Sequence, residues 1–278
     1  MYDAPYWDES AAYAFSLAEI ENDLEDPTAE LLALCHQAVE YVVGNASAMD
    51  CFQIPVRYQD LVRASWREQE RDLYGRFDLS YDGRGPAKLL EFNADTPTGL
   101  FETAVVQWQW LEDMKGRGLL GAEIDQFNSV HEKLIAALGA LDIDGDLYLG
   151  GALDLDEDAG TLAYLADCAT QAGLICSMID MQLIGVDIRS RFTDMQDRVI
   201  GTLFKLYPWE LLFREAFGPR LLRRQCRMIE PAWKAILSNK ALLPLLWDMA
   251  PGHPNLLPAF HEGDPRAATL DGYARKPI

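Results

Sequence analysis

The chain has no run of the about 18 consecutive apolar residues that a membrane-spanning helix needs. Its opening, MYDAPYWDES, lacks the basic region and apolar stretch of a signal peptide. A soluble protein of the cytoplasm is expected. Cysteine is scarce as well: Cys35, Cys51, Cys168, Cys176 and Cys226 form an odd set without a CxxC pair. That excludes a disulfide framework or a zinc site and suits reduced thiols. Cys35 falls within a helical pattern and reads as a core residue. Positive charge is the third shortage. Lys and Arg number 24 against 44 Asp and Glu, a net charge of -20. A phosphate backbone would be repelled, so nucleic acid is not expected as a partner. A cationic partner such as a polyamine would be attracted, although acidity also serves plain solubility. Internal repeats and low-complexity linkers are missing too.

What is present is apolar substance: 49% of the 278 residues are hydrophobic, enough for a sizeable core in one large domain or two small ones. Asp26-Pro27 reads as a helix start, with Asp as cap and Pro at the first helical position, and the helix should run to about Val43. "IPVRYQDLVRASWREQE" has helical spacing, as does "GLFETAVVQWQWLEDM". From Leu147 the pattern changes to strand, helix, strand: "LYLGGAL", "GTLAYLADCATQAG" and "LICSMI". This is a βαβ unit, at about 145–185. "RVIGTLFKLYP" is a further strand. Helices are expected in "WELLFREAF" and "PAWKAILSNKALLPLLWDM", and "YARKPI" resembles a strand just beginning. The acidic "DLDEDAG", Asp154 to Gly160, is the stretch that could meet a polyamine, but it reads equally well as a solvated loop between strand and helix. "DIDGDLYLG" has the alternating aspartates of a calcium loop, but Gly145 comes too early and Leu153 stands where a bidentate glutamate belongs. It reads as a turn before a strand. The fold class is therefore α/β with an antiparallel element inserted near the front.

That element is "YGRFDLSYDGRGPAKLLEFNAD", two alternating runs around a Gly/Pro turn, hence a β-hairpin. With Tyr81 opposite Lys88, Leu79 faces Leu90 and Phe77 faces Phe92 on one side. The other side brings Arg76 opposite Asn93 and Asp78 opposite Glu91. Opposed carboxylates repel, so something must compensate. Arg76 does so in part. A divalent ion would do more, since two carboxylates and an amide carbonyl are the oxygen donors magnesium accepts. A solvated polar face held by one Arg–carboxylate contact is the simpler alternative. A hydrolytic acid–base pair would need one raised carboxyl pKa, which the adjacent Arg76 opposes.

At these residues a resemblance emerges. "GRFDLSYDG", "LLEFNADTPTGL", "FKLYPWE", "EPAWKAILSNKALLPLLW" and "PGHPNLLPA" occur in the order found in the glutathionylspermidine synthase family of ATP-grasp-type carboxylate–amine ligases. The resemblance spans about residues 5–278. It implies an ATP-grasp-like ligase fold with a Rossmann-like pre-ATP-grasp part, all of 1–278 being one such domain. It implies ATP and Mg2+ as cofactors and small-molecule substrates: a glutathione-like carboxylate and a polyamine-like amine joined through an acyl phosphate. Carried over by motif, Asp78, Glu91 and Asn93 would be metal ligands and Arg76 would contact the phosphoryl group in transit. Lys240 in "SNKALLP" and Lys276 in "YARKP" would contact nucleotide. Thr96 and Thr98 could bind a peptide carboxylate, and Thr98 equally suits a helix cap. The family continues beyond "RKP" and begins before "PYWDES", so a shortened chain is expected. A non-catalytic binding relative is the alternative to an active ligase.

Overall fold

The computed structural model describes residues 11–277. Those residues build a mixed α/β architecture around a four-stranded parallel sheet of order β4 (Cys176–Asp180), β3 (Leu147–Gly151), β7 (Thr202–Lys205) and β8 (Arg227–Ile229). The helical front starts earlier than expected. Ser16 caps α1 (Leu17–Glu19) in a reciprocal box with Glu19. A π-helical turn at Ile20–Glu25 then runs directly into α2 (Asp26–Gly44). Asp26 is therefore inside a continuing helix and caps nothing. A short helix the sequence reading passed over, α3 (Ala46–Cys51), is capped by Asn45. α4 (Val56–Arg67) follows and packs its apolar face on α2.

The hairpin comprises β1 (Arg76–Ser80) and β2 (Lys88–Asn93). Its first pairs are Arg76–Asn93, Phe77–Phe92 and Asp78–Glu91, as the alternation demanded. The rest departs: a bulge between Asp78 and Leu79 shifts the register, so Leu79 opposes Leu89 and Ser80 opposes Lys88. Leu89 is consequently buried, whereas Leu90 turns outward. A bulge adds one residue to one strand, and that residue reverses sidedness beyond it.

After a π-turn at Glu102–Val106 come α5 (Gln107–Gly116) and α6 (Val130–Gly139). The βαβ unit is β3 (Leu147–Gly151), α7 (Asp156–Gln171) and β4 (Cys176–Asp180), with β3 and β4 parallel. Asp156, Glu157 and Asp158 form the first turn of α7, so the acidic stretch expected as a loop is largely helix, its charges at the favourable dipole end. A small antiparallel pair, β5 (Gly185–Val186) and β6 (Phe192–Thr193), precedes β7 (Thr202–Lys205). "WELLFREAF" yields only α8 (Trp209–Leu212) before turns leading to β8 (Arg227–Ile229). The expected last helix is two, α9 (Lys234–Leu237) and α10 (Leu242–Met249), broken at the Ser-Asn-Lys turn. Among the described residues of "YARKPI" there is no strand.

The sheet is covered on both faces. Leu147, Leu149, Phe204 and Ile229 point to a core shared with α6 and α7. Tyr148 and Leu203, the alternate residues, point to a second core with α2, α4, α9, α10 and the apolar side of the hairpin. Cys35 is fully buried there. All five thiols are free. No helix among the described residues is long and apolar enough to cross a membrane.

Candidate functional site

Phe77 and Phe92 stack with ring centroids 4.1 Å apart and seat the hairpin on its core. That leaves the opposite face, with Arg76, Asp78, Glu91 and Asn93, half-buried. Arg76 binds Asp78 through two donors, Nε to Oδ1 at 2.7 Å and Nη2 to Oδ2 at 3.3 Å. Asn93 Nδ2 donates to Asp78 Oδ2 at 3.2 Å, which leaves its carbonyl oxygen as the free acceptor. The remaining guanidinium nitrogen donates to Thr98, to the carbonyl at 2.7 Å and the hydroxyl at 3.2 Å. Thr98 thus orients Arg76, and the next helical turn opens after Gly99, which adopts φ +75°. Thr96 is half-buried on the same connection.

Glu91 is compensated from a distance. Lys240, on the turn between α9 and α10, pairs with one carboxylate oxygen. Lys276 pairs with the other at 2.8 Å and also reaches the Leu90 carbonyl at 3.4 Å. All of the expected metal and nucleotide residues thus converge on one side of one hairpin, from four separate stretches of sequence. The electrostatics follow. Hydrogen bonding to Asp78 raises the Arg76 pKa, with Asp78, Glu91 and Glu157 adding to the effect. Partial burial pushes Glu91 up, but the two ammonium groups outweigh it and hold its carboxyl below the ordinary value.

A second set of charges lies behind this face, and sequence reasoning gave it no role. Asp95, two residues beyond Asn93, is buried against fully buried Lys205, the last residue of β7. Its other oxygen accepts from the Trp209 backbone N–H at 2.7 Å. Ser238 Oγ accepts from the Ala94 and Asp95 backbone at 3.0 and 2.8 Å. On the other strand, at the same open end of the hairpin, buried Glu230 accepts from the Leu73 and Tyr74 backbone at 3.2 and 3.0 Å. Lys234 binds Glu230 at 2.6 Å and the Tyr74 carbonyl at 2.7 Å. Burial lowers the Lys205 pKa and raises that of Glu230, because each charged form has lost water. The chain entering β1 and the chain leaving β2 are both pinned to the carboxyl ends of neighbouring strands, β8 at the sheet edge and β7 beside it. The signal was a charge closing an apolar run: "TLFK" for Lys205 and "LLEFNAD" for Asp95.

The donor set itself suits a hard cation. Two carboxylates and an amide carbonyl offer oxygen only. No cluster of three or more His, Cys, Asp or Glu side chains able to hold a metal exists among the described residues.

Over 280 residues the chain is 41% identical to a Haemophilus influenzae protein provisionally named acid–amine ligase, covering 98% of this chain and 69% of that one. It is 26% identical over 272 residues to Crithidia fasciculata trypanothione synthetase, covering 87% of this chain and 40% of the relative. With the Escherichia coli bifunctional glutathionylspermidine synthetase/amidase the identity is 27% over 285 residues, covering 93% of this chain and 45% of that protein. The chain thus spans less than half the length of the last two. The family described as glutathionylspermidine synthase preATP-grasp matches residues 1–278, and the chain belongs to it.

Proposed function

We propose that the chain serves an ATP- and Mg-dependent ligase that joins a peptide carboxylate, glutathione-like, to an amine, polyamine-like, through an acyl phosphate. The carrying observation is the single polar face on which Arg76, Asp78, Glu91 and Asn93 stand together with Lys240 and Lys276. Support comes from relatives whose names are those of ligases and synthetases.

In this reading a substrate carboxylate oxygen attacks the γ-phosphorus of ATP and the bond to ADP breaks. The amine then attacks the acyl carbon, releases phosphate and loses a proton. Arg76, braced by Asp78 and Thr98, points a fixed guanidinium at the phosphoryl oxygens. Asp78, Glu91 and Asn93 would hold Mg2+, which when bound neutralises charge on the β- and γ-phosphates. Lys240 and Lys276 supply point charges to the nucleotide once Glu91 has another cation. Thr96 and Thr98 border the place where a carboxylate substrate would lie. Free thiols and an acidic surface suit a cytoplasmic setting. The charge balance fits an amine substrate, although another peptide and amine would be served by the same face.

Nucleotide binding with and without magnesium tests the site, on this chain and on a form extended to the relatives' length. Wild type should gain affinity with magnesium, and Glu91→Gln should abolish that gain. Equal behaviour of the two proteins would refute the assignment. Amine-dependent phosphate release from ATP separates a ligase from a relative that only binds.

A further inference from the structure

A cavity of about 490 Å3 opens at the amino-terminal ends of β7 and β8, where Gly201 and Arg227 stand. The hairpin is pinned to the carboxyl ends of the same strands, and none of Arg76, Asp78, Glu91, Asn93, Lys240 and Lys276 lines the cavity. Phe192, Trp209 and Leu221, each no more than 5% exposed, lie at its floor, and Arg220, Arg224 and Arg227 stand on its wall together with Glu70. Its volume lies within the range of small-molecule sites, roughly 300–1,000 Å3.

The charge at this place is unusual for the molecule. In a chain of net charge -20, the ten residues "GPRLLRRQCR" (218–227) contain four arginines and no acid. Arg224 is neutralised by Glu68 and Glu70, with contacts of 2.5 and 2.7 Å. Arg220 and Arg227 are not. Arg220 donates to the Ser190 hydroxyl at 3.1 Å and Arg227 to the Asp142 carbonyl at 2.9 Å. Neither has a carboxylate partner among the described residues. Two guanidinium groups without counter-charge, above an aromatic floor, match an anion carried on an apolar body. The surrounding acidity would repel an anion elsewhere on the surface, so the local positive field also selects this entrance.

We propose that this cavity binds a small molecule with an anionic head, phosphate or dicarboxylate, on an apolar body. Arg220 and Arg227 take the head, and Phe192 and Trp209 face the apolar part.

Isothermal titration with phenyl phosphate, phthalate and inorganic phosphate tests this. Phenyl phosphate or phthalate should bind at least about tenfold more tightly than inorganic phosphate, because only they reach the floor. The tighter of the two identifies the head group. Arg220→Ala/Arg227→Ala should weaken that binding by at least about tenfold, and Glu91→Gln should leave it unchanged. Should the double variant lose its fold by circular dichroism, Arg220→Ala alone decides, since that exposed side chain holds only Ser190; a loss of at least about threefold is expected. No saturable binding of any probe would overturn the proposal. So would unchanged affinity in the arginine variants, or a loss in Glu91→Gln equal to theirs, which would place the probe at the hairpin.

Discussion

Two sets of ion pairs serve the same hairpin, one in front of it and one behind. The front set, Arg76–Asp78 and Glu91 with Lys240 and Lys276, is 24–40% exposed at its side chains. The rear set, Asp95–Lys205 and Glu230–Lys234, is at most 5% exposed. Similar chemistry therefore has different consequences. In water-accessible surroundings a pair contributes little to stability and can be exchanged for another cation. In the interior the same pair cannot be opened without leaving a buried charge unpaired. The rear set fixes geometry, and the front set is free to bind.

The largest effect should come from opening the rear. Asp95→Ala strands Lys205 and the Trp209 backbone donor, and should lower unfolding free energy by about 3–5 kcal/mol, read by urea denaturation. A loss below about 1 kcal/mol would erase the contrast between the two sets. Leu89→Ala probes the apolar side and should cost about 2–5 kcal/mol, because the side chain is 1% exposed. In front, Glu91→Gln should change stability by no more than about 1 kcal/mol at pH 7. The sign of its pH dependence is set by the lowered carboxyl pKa. The stabilisation is present above the ordinary value of 4.5 and disappears as pH falls through the lowered value. Wild type and Glu91→Gln should therefore converge in acid, and divergence there would break the assignment. Smallest of all, Leu90→Ala should stay within about 0.5 kcal/mol, since the bulge turns Leu90 to solvent.

The last pair of variants marks the limit of what alternation shows. Arg76, Asp78, Glu91 and Asn93 were legible as one face because strand period places them there. The bulge was not legible, since nothing in "AKLLEFN" distinguishes a continuous ladder from one in which Leu90 is an extra residue. The βαβ unit and helix α2 were visible from apolar period, whereas the break between α9 and α10 was not, because "AWKAILSNKALLPLLW" keeps helical spacing across it. Lys240 and Lys276 came from the resemblance alone. Their meeting at Glu91 joins residues 149 and 185 positions apart, beyond the reach of local pattern. Asp95, Lys205 and Glu230 were hidden for a related reason: a buried charge declares itself through its partners, and although Lys234 is only four residues from Glu230, Asp95 and Lys205 are 110 positions apart and the Tyr74 donor is 156 from Glu230.

The bulge has one more consequence. It divides the hairpin into the half that carries the polar face, whose pairing is clamped by the rear charges, and a loop half that is not. A residue gained or lost at the tip between Tyr81 and Ala87 can be absorbed at that irregularity without rotating Asp78 or Glu91. Relatives with tips of different length can therefore keep the same polar face, and grafting a longer tip should leave magnesium affinity intact.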